Sequence, residues 1–217
     1  MEYLGCISVG YLLGAINPAY LISRIRGFDI RRKGSGNAGA SNAMIVLGKA
    51  VGVFCALFDI GKTCLAIWLT GMLFPSLPYR FVLSGSSCVL GHIFPFYMKF
   101  KGGKGLACLG GMVLMYDWRV FLVLLSAEGV VLLLSKYLCF VPITGSVAFS
   151  VVYGVINHDL FGALILMGVA VVILFKHKEN LRRILCGSEA RICYLWNKEK
   201  ETARLRENTG LKEEDFF

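Results

Sequence analysis

The sequence predicts an all-α, polytopic membrane helix bundle, and three observations carry that prediction. Hydrophobic residues make up 56% of the 217-residue chain and charged residues only 17%, whereas a soluble domain carries about a quarter charged residues. Apolar runs close to the ~20 residues needed to cross a bilayer recur along the whole chain. Lys and Arg gather in alternate connections between those runs, as the positive-inside rule demands. The formal charge of +9 is therefore a topology signal, and no soluble basic domain is left to grip nucleic acid.

Seven apolar segments follow in order, at about 3–23, 46–74, 80–98, 105–117, 119–135, 137–157 and 160–175. The first has no basic stretch before it and no small-residue cleavage site after it, so it is expected as a retained helix rather than a signal peptide. The second carries Asp59 and Lys62, three residues apart and near mid-membrane by count. Ionisable groups there pair or face a cavity, and a structural ion pair is expected. The third carries His92, for which a satisfied core histidine and a chemical role are equally open. The fourth is too short to span ~30 Å as a straight helix. With Gly105, Gly110 and Gly111 it reads as a half-helix or re-entrant element, which is tolerated where it lines a protein cavity. The fifth carries Glu128, with no evident partner in sequence.

Orientation comes from the loops. Arg24, Arg26, Arg31, Arg32 and Lys33 follow the first segment; Lys99, Lys101 and Lys104 follow the third. Lys136 follows the fifth, and Lys176, Lys178, Arg182 and Arg183 follow the seventh, against only Arg80 and Arg119 in the opposite loops. The N-terminus is expected outside and the C-terminus in the cytoplasm. Residues 1–187 read as the membrane-embedded domain and 188–217 as a charged cytoplasmic tail. Ala190 to Leu205 has an amphipathic pattern, with Ile192, Leu195, Trp196 and Leu205 near its apolar side; a solvated tail is the alternative. The eight cysteines lie mostly within apolar runs and form no CxxC, which suits small buried hydrophobes better than disulfides or metal ligands.

Three polar clusters fall on the predicted cytoplasmic side. In GSGNAGASN, residues 34–42, Gly34, Gly36 and Gly39 allow close approaches that a Cβ forbids. Successive N–H groups in such a loop form an anion-binding concavity, to which Ser35, Asn37, Ser41 and Asn42 add hydroxyls and amides. A flexible connecting turn would use the same letters, and no nucleotide fingerprint is present. FKGGKG is sharper: Lys101 and Lys104 bracket Gly102 and Gly103, with Gly105 at the mouth of a short helix, so two ammonium ions and a positive helix end stand together. In the third cluster His177, Asn180 and Arg183 recur every third residue, a ribbon along one side of a helix, with Gly187 as its stop.

Together these segments resemble the acyl-phosphate:glycerol-3-phosphate acyltransferases (the PlsY type), a bacterial membrane family. Its motifs read approximately GSGNxGATN, GHxFPxxxxFKGGKG and HxxNIxRLxxGxE. They are matched here by residues 34–42, by residues 91–105, and by His177, Asn180, Arg183, Gly187 and Glu189. The resemblance implies transfer of a fatty acyl group from acyl phosphate to the 1-hydroxyl of sn-glycerol 3-phosphate, at the cytoplasmic face of a bacterial cell membrane. It implies no metal and no cofactor.

By the same resemblance Ser35 and the Gly36–Asn37 backbone act around the acyl phosphate. Lys101, Gly102, Gly103 and Lys104 hold glycerol phosphate, His177 and Asn180 orient the acceptor or polarise the carbonyl, and Glu189 is structural. Four positions depart from the family. Ile45 stands where it has an Arg, removing a fork suited to bidentate phosphate contacts. Cys139 and Pro142 stand where it usually has serines, and Ser41 replaces a Thr. Lys49, Lys33 or Arg32 is expected to supply the missing charge in an active enzyme. A paralogue with another donor or acceptor and a transporter or binder of an anionic lipid precursor are the alternatives, since transporters also arrange helix ends around anions.

Overall fold

The computed structural model describes residues 1–209, and residues 210–217 of the expected tail lie outside the described residues. Among the described residues every regular element is helical: α1 (Glu2–Ala15), α2 (Pro18–Ile25), α3 (Ala40–Val46), α4 (Lys49–Leu73), α5 (Arg80–Ile93), α6 (Leu106–Tyr116), α7 (Trp118–Ser135), α8 (Phe140–Asn157), α9 (Leu160–Lys176), α10 (Lys178–Leu185) and α11 (Lys198–Thr209). Each of the seven expected segments is present. By length and composition four cross a bilayer as single units, and the bent pairs α1–α2 and α9–α10 raise the number to six. The remaining segment is α6, whose 11 residues cover roughly 16 Å at 1.5 Å per residue, about half a hydrocarbon core.

The first segment, expected as one helix, is broken. Pro18 disfavours helical backbone at the residue before it; Asn17 is accordingly extended, and the axis turns by 42°. Such a break exposes backbone groups that must find partners inside a membrane. Here Lys62 Nζ donates to the Ile16 carbonyl at 2.6 Å, Tyr97 Oη donates to the Ala15 carbonyl at 2.8 Å, and the Asn17 N–H donates to Tyr97 Oη at 3.1 Å. The Asn17 side chain caps α2 by accepting from the Tyr20 N–H at 2.8 Å and donates to the Ala38 carbonyl, also at 2.8 Å. The break is therefore a fixed joint that ties α1 to the first polar loop.

Helices α1 and α5 approach closely through small residues, the usual way apolar helices associate in lipid. A Cβ on Gly14 would lie 2.1 Å from the Cys88 carbonyl oxygen and one on Gly91 would lie 2.3 Å from that of Tyr11. The main core packs Val82, Val89 and Ile93 of α5 against Cys108 and Met112 of α6, Phe149 of α8 and Ile173 of α9. Outward faces carry lipid-suited side chains such as Leu57, Trp68, Leu133 and Phe175.

The tail departs from a single amphipathic helix over Ala190 to Leu205. A short 3-10 turn at Ile192–Leu195 precedes α11. Leu205 is buried but Trp196 stays exposed.

Candidate acyl-transfer site

The first polar loop is built around one side chain. Asn42, fully buried on α3, accepts from the Ser35 N–H at 2.9 Å and donates to the carbonyls of Asn37 at 2.8 Å, Lys33 at 3.0 Å and Ile30 at 3.2 Å. Gly34 passes directly over it with φ +57, and a Cβ there would lie 2.3 Å from Asn42 Oδ1. Asn42, expected among the phosphate-binding amides, is thus the post that shapes the loop, with both ends of its amide occupied. The Gly36 N–H also turns inward, onto the Lys33 carbonyl at 3.2 Å. The side chains of Ser35 and Ser41 remain exposed. Ile45, half-buried, sits one turn after Ser41 on α3, and residues four apart share a helix face.

Arg31 joins this loop to the second motif, a role that its place among the topology charges did not suggest. It pairs with Asp29 at 2.7 Å, lies over the Tyr20 ring at 4.9 Å, and donates to the Met98 carbonyl at 2.6 Å. The hydrogen bond from Arg31 holds the Asp29 carboxyl down at about 2.

The second motif folds back on the end of α5. The Gly103 N–H donates to the His92 carbonyl at 3.1 Å and the Gly102 N–H to that of Ile93 at 3.0 Å. A Cβ on Gly103 would lie 2.0 Å from His92 Nε2. These two N–H groups, expected to face an anion, are spent within the protein. The glycines are required because the strand of loop lies flat on the histidine. His92 in turn belongs to a buried cluster: Lys62 Nζ lies 2.7 Å from Asp59 Oδ1 and 3.1 Å from His92 Nδ1. The Asp59–Lys62 ion pair is present as expected and supports the motif from beneath. Asp59, His92 and Cys108 bring their donor atoms within 4.8 Å of one another, but the ammonium of Lys62 already fills the place of a cation between the first two.

The third motif begins at the 46° bend between α9 and α10. His177 is buried, and its Nδ1 lies 2.8 Å from the Ile173 carbonyl oxygen. A carbonyl only accepts, so Nδ1 carries the proton and Nε2 is left as an acceptor. Asn180 connects the second and third motifs: its Oδ1 accepts from Lys104 Nζ, and its Nδ2 donates to Glu189 Oε1 at 2.5 Å. The second Glu189 oxygen receives Arg183 Nε at 2.7 Å. Burial, then the Arg183 guanidinium, push the Lys104 ammonium down to about 8, while Glu189 opposes them. Lys101 is exposed, and its carbonyl lies 3.5 Å from a terminal nitrogen of Arg31.

The three clusters are therefore mechanically joined, the first to the second by Arg31 and the second to the third by Lys104. Among the described residues no hydrogen bond links Ser35 to Lys104 or His177. Glu128 has a partner that its sequence neighbours did not reveal, Thr144 Oγ1 of α8, which donates to it at 2.7 Å. Asn17, Asp29 and Tyr20, which hold the first loop, were not singled out by the sequence. The Asn17–Pro18 pair was the available signal for the first of them.

A family described as Glycerol-3-phosphate acyltransferase matches residues 4–187, stopping short of α11. A glycerol-3-phosphate acyltransferase of Symbiobacterium thermophilum is 34% identical over 88% of this chain and 95% of its own length. One from Bacillus subtilis strain 168 is 31% identical over 87% of this chain and 97% of its own. The crystal structure of PlsY (YgiH), an integral membrane glycerol 3-phosphate acyltransferase, in its glycerol 3-phosphate form, is similar with a TM-score of 0.81 and 29% identity. That match covers 90% of this chain and 98% of the crystallised one. The lysophosphatidic acid form of that protein gives a TM-score of 0.77.

Proposed function

The chain belongs to the glycerol-3-phosphate acyltransferase family, and from that premise we propose that it transfers a fatty acyl group from acyl phosphate to the 1-hydroxyl of sn-glycerol 3-phosphate. The products are lysophosphatidic acid and inorganic phosphate. The observation that carries the reading is the Lys104–Asn180–Glu189–Arg183 network, in which one cation is kept partly desolvated near a second. A dianionic phosphate monoester is the complement of such a place, because its charge repays the desolvation of the ammonium.

In this reading Lys104, with Arg183 near it and Lys101 three residues earlier in the same loop, holds the phosphate of the acceptor. The 1-hydroxyl oxygen attacks the acyl carbonyl carbon, the carbonyl oxygen takes negative charge, and the C–O bond to phosphate then breaks. The hydroxyl proton passes to His177 Nε2 or to the departing phosphate. Ser35 Oγ, which is exposed, and the Asn37 N–H serve the acyl phosphate, the N–H groups of Ser35 and Gly36 being taken by Asn42 and Lys33. Acyl phosphate is already activated, so positioning and charge stabilisation supply the acceleration without a covalent acyl-enzyme. The apolar bundle receives the acyl chain, and the distribution of Lys and Arg supports a site facing the cytoplasm of a bacterial cell.

The test is purified protein in lipid vesicles given acyl phosphate and glycerol 3-phosphate, with lysophosphatidate followed by mass spectrometry and phosphate release followed in parallel. Equal amounts of the two products are expected. Binding of glycerol 3-phosphate without turnover, or turnover only with another acyl donor, would overturn the reading.

A further inference from the structure

Residues 190–209 lie beyond the family match, and the reaction as derived gives them no part. They nevertheless fold back onto the third motif. Helix α11 turns one face towards it: Glu201 and Leu205 are buried, and Arg204 and Asn208 lie along the same stripe at three- and four-residue spacing. Arg204 donates through one terminal nitrogen to the Glu189 carbonyl at 2.8 Å and through the other to the Gly187 carbonyl at 3.4 Å, and Asn208 donates to the same Gly187 oxygen at 3.2 Å.

Arg204 is itself held. Glu201 Oε1 accepts its Nε at 3.0 Å and a terminal nitrogen at 2.5 Å, as well as the Arg191 N–H at 2.9 Å. Glu201 is only 2% exposed, an expensive location for a carboxylate in a tail that merely floats in water, unless its partners are fixed too. The start of the tail is tied down elsewhere, where the Ile192 N–H donates to the Lys136 carbonyl at 2.9 Å in the α7–α8 connection.

We infer that α11 is a positioning strut. Through Arg204 it fixes the Gly187–Glu189 turn, so that Glu189 keeps Asn180 and Arg183 in register and Asn180 keeps the Lys104 ammonium in place. The run is contiguous, from Glu201 to Arg204 to the Glu189 backbone, through the Glu189 side chain to Asn180 and so to Lys104. Arg204 touches no reacting atom and acts only through that chain. What Lys104 does with its position rests on the acyl-transfer reading; the mechanical link does not.

The experiment compares the full chain with Arg204→Ala, Arg204→Lys and Glu201→Gln. Lysine reactivity towards acetic anhydride is read by mass spectrometry, with exposed Lys101 as the internal reference, beside KM and kcat. Loss of hydrogen bonds that hold Asn180 should raise the Lys104-to-Lys101 labelling ratio about tenfold in Arg204→Ala and less in Glu201→Gln, and Arg204→Lys should return most of the way to wild type. KM for glycerol 3-phosphate should rise by a similar factor while kcat changes little. A ratio that stays at the wild-type value, whether both rates stay low or both rise together, overturns the strut. If the ratio shifts but the wild-type chain turns over no acyl phosphate, the acyl-transfer reading fails and the strut stands.

Discussion

The loop at residues 34–42 and the Lys104–Glu189 region share a vocabulary of glycine, asparagine and base, yet they are built on opposite plans. In the first, a single neutral amide, Asn42, collects the backbone from inside and leaves the Ser35 and Ser41 side chains outside. In the second, charged groups hold one another, and the ammonium proposed to meet the phosphate is kept partly out of water by burial. A neutral frame can present small donors to an acyl phosphate without prepaid electrostatics. An ionic frame commits its charges to partners and keeps one cation under tension, ready for a phosphate. The difference teaches that glycine in these motifs serves packing first: Gly34 lies on Asn42 and Gly103 on His92.

The contrast can be broken most severely at the ionic end. Lys104→Met should lower kcat/KM for glycerol 3-phosphate by about a hundredfold or more, since a charge-assisted contact is lost and Asn180 is left unpaired. Steady-state kinetics at saturating acyl phosphate checks this. At the neutral end Asn42→Ala removes one amide that serves four backbone groups. A loss of roughly 2–4 kcal/mol of stability is expected, read as a lower thermal midpoint together with lost activity. The two variants therefore separate, because Lys104→Met should lower the midpoint less than Asn42→Ala: removing a desolvated ammonium offsets part of the cost of the unpaired Asn180.

Acidity offers a finer test. The Lys104 ammonium is present below about 8 and is lost above it, so KM for glycerol 3-phosphate should climb about tenfold per pH unit beyond that point. Stability should behave differently. The unfolded chain keeps this proton up to a higher pH than the folded one, so between about 8 and the ordinary lysine value the group makes folding more favourable as pH rises. A midpoint that fell in step with activity would assign the alkaline loss to unfolding instead. The smallest expected effect is at Ile45. Ile45→Arg adds a charge on the face of α3 that carries Ser41, and a rise of a few-fold in kcat/KM for acyl phosphate is expected; an unchanged rate would show that the neutral loop needs no such help.

Much of this was readable without coordinates. Hydropathy located all seven segments, glycine and shortness marked α6, and the three-residue spacing of Asp59 and Lys62 announced their pair. What stayed hidden was mostly long-range. Nothing near Asn42 in sequence says that its amide points inward rather than at a ligand. The inward N–H groups of Gly102 and Gly103 depend on where α5 ends, and the partner of Glu128 lies on another helix. The break at Asn17 was signalled by Pro18, but apolar residues on both sides let the segment pass as one span. Periodicity reports which face a residue occupies, while partners are settled by how helices pack.

The central claim is that the Lys104–Asn180–Glu189 frame is the seat of glycerol 3-phosphate. Calorimetric titration of glycerol 3-phosphate into the full chain in vesicles, without acyl donor, at pH 7 and pH 9 tests it most directly. Binding at pH 7 that weakens at pH 9 and disappears in Lys104→Met is the predicted result. Binding of equal strength in wild type and Lys104→Met, indifferent to pH, would contradict it.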